Sequence, residues 1–367
     1  MRVLFVGDLA QTGFGTVTAD LGRAMLDLGL DVRFLSQNEL GDLPEPFLSR
    51  TFILDERQGW PIAAEQRKLS IAGILDGSLW KDRWEAEAIV VLGDFYAARG
   101  VVFLDEDGEQ AFRDRNAYHY VPIEGHDLPP SWRFLWQIAQ PIAMSQFGAD
   151  QIEKVTGSRP PVIYHGVDTK SFYPVSATRP IRLGSAVMRS KEECKEYFNI
   201  HPESRVLLRT DTNVLRKQWA SLLRSVGPVL ETHPEAVLVM HTRMSDEGGD
   251  IRDIRSHFPR QIAARMVPTL YKDRGYNLSR HDLNALYNAA DIYVSSSAEG
   301  FGLTIAEALA AGVPAVGINY SAVPEVIGPA GLVVPGEIIA NPYAHFWARP
   351  VEQAFGEAVS RLLDDDR

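Results

Sequence analysis

Apolar residues recur along this chain with two spacings, which together predict an α/β fold. Aliphatic and β-branched runs with the length of buried strands occur at 3–6, 31–35, 88–92, 117–123, 205–209, 236–241, 291–295 and 313–318. Apolar positions with a helical period occur between and after these runs, at 17–28, 191–198, 282–288 and 350–363. Such alternation of strands and helices is typical of parallel sheets with helices on both faces.

The pattern is less regular between residues 41 and 125. There it predicts one more short strand, at 101–104, and short helices at 69–75 and 109–113. Residues 175–180 are polar and bounded by prolines. This composition is typical of a linker, so we expect a domain boundary near residue 175.

Residues 298–314 combine a glycine-rich turn with a predicted helix. Gly300 and Gly302 permit a tight turn in which the backbone can approach a ligand closely. Strong helix formers follow, and Gly312 and Pro314 end the helix as a C-terminal cap and a helix breaker. The helix is apolar on nearly every side, so we expect it to be buried.

The predicted helix has two features that suit a ligand site. Glu307 is its only charged residue, and a buried carboxylate requires a partner. The backbone amides of Gly302, Leu303 and Thr304 lie where helix geometry supplies no acceptor. A helix N-terminus after a glycine-rich turn is well suited to binding phosphate.

Glu299 and Glu307 are separated by seven residues within EGFGLTIAEALAAGVPAVG. This stretch resembles the signature of the retaining glycosyltransferases of family 4, and residues 278–297 and 321–335 extend the resemblance. An ordinary strand–helix unit with a capped helix is the alternative interpretation.

The resemblance implies the GT-B fold, in which two Rossmann-like domains face an interdomain cleft. We therefore expect an acceptor-binding domain at 1–175 and a nucleotide-sugar-binding domain at 176–340. Residues 341–367 would form a C-terminal helix that returns to the first domain.

The same resemblance implies roles for the residues around the two glutamates. Glu299 would act as a catalytic group at the donor sugar, and Glu307 would accept hydrogen bonds from the ribose. The backbone of the intervening turn would bind the donor, at Gly300, Phe301 and Gly302, together with the first helical amides of Leu303 and Thr304.

Relatives also bind the donor diphosphate through an arginine and a lysine about five residues apart. Lys217 matches the lysine, whereas Thr212 occupies the arginine position, so either Arg216 or Arg209 would have to substitute. Fixed cations are needed because a leaving nucleoside diphosphate gains negative charge that a site without metal must offset. By itself, an Arg-Lys pair in a loop is better explained as solvated surface.

The loop after the first strand contains Gly13, Phe14 and Gly15. It lacks the third glycine of a dinucleotide-binding fingerprint. The resemblance implies a loop that lies near the donor phosphates or the acceptor. A plain strand-to-helix turn is the alternative.

Polar residues also follow the predicted strand at 117–123. The resemblance implies that His126, in its pair with Asp127, is a hydrogen-bond partner of the donor sugar, although an isolated surface histidine is equally consistent. Glu124 is a rival polar group at the same strand end, where ligands of open α/β sheets bind. His119 lies within the strand and is expected in the core.

Composition supports two domains of unequal charge. The 367 residues are 45% hydrophobic, enough for two cores. The net charge is −11, and residues 1–175 carry 16 basic and 25 acidic residues, a poor surface for anionic lipid or nucleic acid. Five tryptophans of this half predict either core packing or an apolar wall for a sugar, namely Trp60, Trp80, Trp84, Trp132 and Trp136.

The remaining composition indicates a cytoplasmic protein. Cys194 is the single cysteine, so no disulfide can form within the chain, which suits a reducing compartment. The N-terminus reads as a strand and not as a signal peptide, and no apolar run approaches the roughly 20 residues of a membrane span. No metal-binding motif occurs, so we expect neither a metal nor a cofactor besides the donor substrate.

The resemblance implies a metal-independent, retaining hexosyltransferase that uses a nucleoside-diphosphate sugar. A saccharide or small-molecule acceptor is favoured over nucleic acid or lipid because the first half of the chain is acidic. Two alternatives remain, a nucleotide-sugar epimerase or hydrolase of the same fold and a non-catalytic nucleotide-sugar-binding protein.

Overall fold

A computed structural model describes residues 1–9, 12–36, 47–53, 71–78, 80, 82–104, 106–269, 278–341 and 345–365. The chain forms two compact units. The first comprises Met1–Ile123 and Leu128–His165, and the second comprises Glu124–Asp127 and Gly166–Arg367. The chain thus enters the second unit at Gly166, ahead of the expected boundary near residue 175.

Within the described residues, the first unit contains a six-stranded parallel sheet in the order β3-β2-β1-β4-β5-β6. Its strands are β1 (Arg2–Gly7), β2 (Asp31–Ser36), β3 (Thr51–Ile53), β4 (Ala88–Leu92), β5 (Asn116–Val121) and β6 (Gln140–Ala143). Its helices are α1 (Gly13–Asp27), α2 (Ile71–Leu75), α3 (Phe95–Val102), α4 (Gly108–Arg113), α5 (Arg133–Trp136) and α6 (Gln146–Thr156).

The aliphatic strands are buried because helices cover both faces of the sheet. Four of the five tryptophans pack into this core, Trp80, Trp84, Trp132 and Trp136. The Trp132 ring stacks on Phe95 with centroids 4.3 Å apart. Core packing is therefore the correct interpretation for these four, and Trp60 lies outside the described residues.

Two local predictions for the first unit were wrong. Residues 101–104 do not form a strand, because Val101 and Val102 end α3, which the side chain of Asp94 caps by accepting from the Ala97 amide at 2.8 Å. Gly13–Gly15 do not precede α1 as a loop but form its first turn. Thr12 is the N-cap, and its hydroxyl accepts from the Gly15 amide at 3.0 Å. Residues 69 and 70 of the helix expected at 69–75 lie outside the described residues.

The second unit, as far as it is described, contains a second parallel sheet in the order β13-β10-β9-β14-β15-β16 and three two-stranded antiparallel ribbons. The strands are β7 (Ile181–Leu183), β8 (Ala186–Met188), β9 (Arg205–Thr210), β10 (Ala236–His241), β11 (Ser245–Asp246), β12 (Gly249–Asp250), β13 (Met266–Pro268), β14 (Ile292–Val294), β15 (Ala315–Ile318), β16 (Gly331–Val334), β17 (Gly336–Ala340) and β18 (Phe346–Pro350). The helices are α7 (Lys191–Tyr197), α8 (Trp219–Thr232), α9 (Ile251–Ser256), α10 (Arg260–Ala263), α11 (Arg280–Asn288), α12 (Leu303–Ala310), α13 (Val323–Ile327) and α14 (Glu352–Asp364).

The segment expected to be a linker is tied to the second unit. The backbone amide of Tyr173 donates to the Asn284 side chain at 3.0 Å, and that of Val175 donates to the Asn288 side chain at 2.7 Å. Both asparagines lie on α11. The polar composition of residues 175–180 therefore marks a surface segment of the second unit.

The last helix also belongs to the second unit, in contrast to the expectation that residues 341–367 return to the first domain. Helix α14 packs against α8, and it buries Phe355, Val359 and Leu363 in the core of the second unit. Gly356 permits close approach, since a Cβ there would lie 2.8 Å from the Ser225 carbonyl oxygen. The apolar stripe of α14 is covered by this contact.

The strand order fixes where loops converge in the second unit. Strands β9 and β14 are neighbours at the middle of the sheet. After β9 the chain continues to β10 on one side, and after β14 it continues to β15 on the other side. At such a switch point, the loops beyond the carboxyl ends of the strands leave a crevice for ligands. No helix in the described part of the chain is both long and apolar enough to cross a bilayer.

His119 on β5 is a core residue, as expected. Its Nε2 lies 3.0 Å from the Gly93 carbonyl oxygen, and its Nδ1 accepts from the Trp136 indole at 3.2 Å. Burial lowers the pKa of His119 from its usual 6.5 to about 4. Burial lowers the pKa of His165 to about 4 as well. Both imidazoles are therefore neutral in the folded protein at neutral pH.

We predict that these histidines make stability depend on pH between 6.5 and 4. Because the unfolded chain protonates first on acidification, the free energy of unfolding should fall as pH drops through this interval, by on the order of 3 kcal/mol for His119 alone. Urea unfolding across this range should show a smaller dependence in His119→Gln. The exposed His257→Gln is the control, and an unchanged dependence in His119→Gln would contradict the prediction.

Candidate active site

The loops that follow β9 and β14 meet around the Lys217 ammonium. Its Nζ lies 2.7 Å from Asp211 Oδ1, in the loop after β9, and 2.7 Å from Glu299 Oε1, in the loop after β14. The lysine side chain is 10% exposed. The switch point of the sheet thus brings together two residues that are 82 positions apart in the sequence.

Arg216 is the second cation at Glu299. Its Nη1 donates to Glu299 Oε2 at 3.1 Å and to the Ala298 carbonyl oxygen at 2.7 Å. Its Nε lies 3.5 Å from Glu124 Oε1. The side chain is 22% exposed, so Arg216 is the more accessible of the two arginine candidates.

Arg209, the other candidate for the diphosphate, is placed differently. Its side chain has no solvent exposure, and its Nη2 lies 3.0 Å from Asp211 Oδ2 and donates to Ser297 Oγ at 3.1 Å. The guanidinium carbon lies 5.0 Å from the centre of the Trp219 ring. Arg209 therefore stabilises the two loops through Asp211 and Ser297. Its complete burial is not consistent with the expectation that it contacts the donor.

Together these groups form an alternating chain of charges, Arg209, Asp211, Lys217, Glu299, Arg216 and Glu124. Burial acts to raise the pKa of Glu299, but the charges of Lys217 and Arg216 outweigh it. Hydrogen bonds from Lys217 and Ser297 add to this effect, so the pKa lies well below its usual range. Glu299 is therefore an ionised acceptor at neutral pH.

Two hydrogen bonds of the Glu299 backbone hold the turn that carries this residue. The Glu299 amide donates to Ser321 Oγ at 2.8 Å, and the Ala322 amide donates to the Glu299 carbonyl oxygen at 3.2 Å. Gly302 has φ +102°, which a side chain would oppose, and it is the N-cap of α12. The amide of Ala306 makes a helical bond to the Gly302 carbonyl oxygen. The amides of Leu303 and Thr304 precede it and have no acceptor within the helix.

Glu307 lies within α12 and has its own set of partners. It is 6% exposed, and its Oε2 accepts from the Tyr287 hydroxyl at 2.8 Å. That hydroxyl also lies 2.9 Å from Thr210 Oγ1. Burial raises the pKa of Tyr287 well above its usual value, and the Glu307 charge adds to this effect. Tyr287 is a functional candidate that the sequence analysis missed, although the hydroxyl of a buried tyrosine needs a hydrogen-bond partner.

His126 lies in the short segment assigned to the second unit. Its amide donates to the Phe346 carbonyl oxygen at 3.2 Å, and its Nδ1 lies 2.5 Å from the Tyr320 hydroxyl. Tyr320 precedes Ser321, so His126 and Glu299 contact neighbouring residues of one loop. Gly13, Phe14 and Gly15 belong to the first unit, where Phe14 is 37% exposed.

Comparison with solved structures shows the fold. Sucrose-phosphate synthase from Thermosynechococcus elongatus is similar over 100% of this chain and 90% of that protein, with a TM-score of 0.69 and 16% identity. HepE from Anabaena, solved with UDP and glucose, is similar over 100% and 90%, with a TM-score of 0.66 and 15% identity. At these identities the likeness concerns the architecture, which confirms the expected GT-B fold of two Rossmann-like domains.

Residues 216–365 match the family model of glycosyl transferases group 1. The match covers 150 of the 367 residues, all of them in the second unit. A stretch of 61 residues is also 51% identical to O-antigen chain mannosyltransferase B from Escherichia coli, and this match spans 16% of each protein. Both glutamates, Lys217 and Arg216 lie within the residues that match the family model, whereas His126 precedes them.

The described residues contain no group of three or more His, Cys, Asp or Glu side chains arranged to hold a metal ion. The charged atoms around Glu299 are instead paired with one another.

We predict that Lys217→Met strongly destabilises the protein, because it leaves the buried carboxylates of Asp211 and Glu299 without their shared cation. The free energy of unfolding in urea should fall by on the order of 3 kcal/mol. Adding Glu299→Gln to this variant should recover part of the loss.

The control is Arg224→Met, which removes a pair with Glu352 whose side chains are 47% and 35% exposed. This change should cost about 1 kcal/mol or less. Equal losses in the two single variants would contradict the buried-pair interpretation.

Proposed function

We propose that this protein is a group 1 glycosyl transferase that moves a sugar from a nucleoside-diphosphate sugar to an acceptor hydroxyl, with retention of configuration and without a metal ion. The observation that carries the proposal is that the two buried glutamates have different kinds of partner. Glu299 is held by two cations in a turn, and Glu307 is held by a tyrosine within the following helix. Two carboxylates in such different surroundings suit two different parts of one ligand.

The diphosphate is assigned to Lys217, Arg216 and the first amides of α12. An ammonium has three donors, and Lys217 directs two of them to Asp211 and Glu299, which leaves one for a phosphate oxygen. The helix N-terminus adds amide donors and a partial positive charge. These groups would stabilise the negative charge that develops on the leaving diphosphate, which is the role a metal has in other transferases.

The sugar is assigned to the turn and the ribose to the helix. An ionised Glu299 accepts hydrogen bonds from sugar hydroxyls, and the backbone of Gly300, Phe301 and Gly302 lies next to it. Glu307 is an acceptor for ribose hydroxyls and is oriented by Tyr287. Positioning of the donor and stabilisation of the leaving group would supply most of the rate enhancement.

The relatives suggest which donors to test first. HepE has been solved with UDP-glucose as well as with UDP and glucose, and the relative from Escherichia coli is a mannosyltransferase. We therefore propose a nucleoside-diphosphate hexose as the donor. A saccharide or small-molecule acceptor suits the acidic residues 1–175, and the single cysteine suits a cytoplasmic protein.

A donor screen tests the proposal directly. We expect one class among UDP-, GDP- and ADP-hexoses to raise the melting temperature, since a ligand that binds the folded state stabilises it by mass action. With that donor and a panel of saccharide acceptors, NMR should show a product whose anomeric configuration matches the donor, also in the presence of EDTA. Inversion or a requirement for metal would refute the proposed mechanism, and an absence of any binding would refute the function.

Substitution of the two glutamates should impair different properties, namely nucleotide affinity and turnover. Glu307→Ala should weaken binding of the nucleoside diphosphate measured by calorimetry, by on the order of tenfold, because it removes charged acceptors for the ribose. Glu299→Ala should leave nucleotide affinity largely intact and lower kcat by about 100-fold or more. Unchanged nucleotide affinity in Glu307→Ala would show that the ribose assignment is wrong.

A further inference from the structure

The ribbon of β17 and β18 contacts the chain segment that carries His126. His126 and Phe346 form an antiparallel bridge, in which the His126 amide donates to the Phe346 carbonyl oxygen at 3.2 Å and the Phe346 amide donates back at 3.1 Å. At Gly125 a Cβ would lie 2.2 Å from the Phe346 carbonyl oxygen. The close approach of the two backbones therefore requires glycine at this position.

The Tyr320 hydroxyl is the centre of this contact. It accepts from the His126 amide at 3.1 Å, lies 2.5 Å from His126 Nδ1, and donates to the Phe346 carbonyl oxygen at 2.8 Å. The imidazole also stacks on the Phe346 ring, with centroids 5.3 Å apart and an angle of 22° between the planes. The ring is thus fixed on one face by Phe346 and at one nitrogen by Tyr320.

This arrangement determines which imidazole nitrogen can serve a ligand. Nδ1 is taken by the phenol, and burial raises the pKa of Tyr320 to about 12, so the phenol stays protonated at neutral pH. Nε2 lies 3.6 Å from Asp127 Oδ2, beyond hydrogen-bonding distance. The His126 side chain is 27% exposed, so Nε2 is the nitrogen that can meet a substrate oxygen.

The same loop connects His126 to Glu299. Ser321 follows Tyr320 directly and accepts from the Glu299 amide at 2.8 Å. Ser321 has φ +53°, and the consecutive side chains of Tyr320 and Ser321 contact His126 and the Glu299 amide, respectively. A second link runs from Glu124 to Arg216, whose Nη1 contacts Glu299.

We propose that Tyr320 is a positioning residue that fixes the orientation of the His126 imidazole beside the Glu299 turn, with the β17–β18 ribbon as its support. Tyr320 acts through His126 and does not itself contact the sugar. Its effect on turnover rests on the proposed transfer function, whereas its effect on the imidazole does not.

The first test uses Tyr320→Phe, which keeps the ring and removes the hydroxyl. NMR of the full chain with labelled histidine, with His126 assigned by its loss in His126→Ala, should show a single dominant tautomer in the wild type. In Tyr320→Phe the Nδ1 signal should shift and the tautomers should mix. Tyr118→Phe, in the first unit, is the matched control. An unchanged His126 spectrum in Tyr320→Phe would overturn the proposal.

The second test measures turnover with the donor found by the screen. Tyr320→Phe should lower kcat by up to about tenfold, as expected for one hydrogen bond, with a smaller change in the donor KM. In the double variant with His126→Ala, it should cause no further loss, because the effects of coupled residues are not additive.

The outcomes separate the two claims. Additive losses in the double variant would overturn the positioning role even if the spectrum changed. If the wild type transfers no sugar while the spectrum changes as expected, the transfer function fails and the fixing of the imidazole by Tyr320 is supported.

Discussion

The candidate site depends on one interaction, the sharing of the Lys217 ammonium by Asp211 and Glu299. Both carboxylates are nearly buried, and an isolated buried charge would cost several kcal/mol. Asp211 also pairs with Arg209, and Glu299 also pairs with Arg216. Each charged group of this cluster therefore has a neighbour of opposite charge. This arrangement keeps an ionised acceptor and two cations together in a site that excludes most water, where their interactions with a charged ligand are strongest.

The sheet topology makes this pairing possible. Strands β9 and β14 are adjacent and parallel, so the loops after them leave the same edge of the sheet. These loops lead to β10 on one side and to β15 on the other, which leaves a crevice between them. Strands β9 and β14 contribute apolar side chains to the core, and the charged residues lie near the end of β9 and in the loops after β9 and β14. Helix α12 then directs its N-terminus at the same place and carries Glu307 into the interior, where Tyr287 is its partner. Strand order, helix direction and charge pairing thus define one site.

The sequence draws attention to several residues of this candidate site, because they lie in short, chemically distinctive stretches. Glu299, Glu307 and Lys217 were assigned from spacing and resemblance, and the structure brings Glu299 and Lys217 into contact. It did not separate Arg209 from Arg216, since both are cations near the same loop and only burial distinguishes them. Tyr287 and Tyr320 were missed because each contacts a partner that is distant in the sequence, Glu307 and His126. Asp211 lies near Lys217 in the sequence, but only the structure shows that it shares the Lys217 ammonium with Glu299.

The sequence by itself determined the α/β class, the four inner strands of each six-stranded sheet and the glycine-rich turn before α12, because these follow from local periodicity and backbone preferences. The tertiary structure decided three matters that local patterns do not encode. Helix α14 packs on α8 within the second unit, Val175 is held by α11, and His126 pairs with Phe346 of β18. Each depends on which surfaces meet after folding, and an apolar stripe or a polar segment is compatible with several partners until packing selects one.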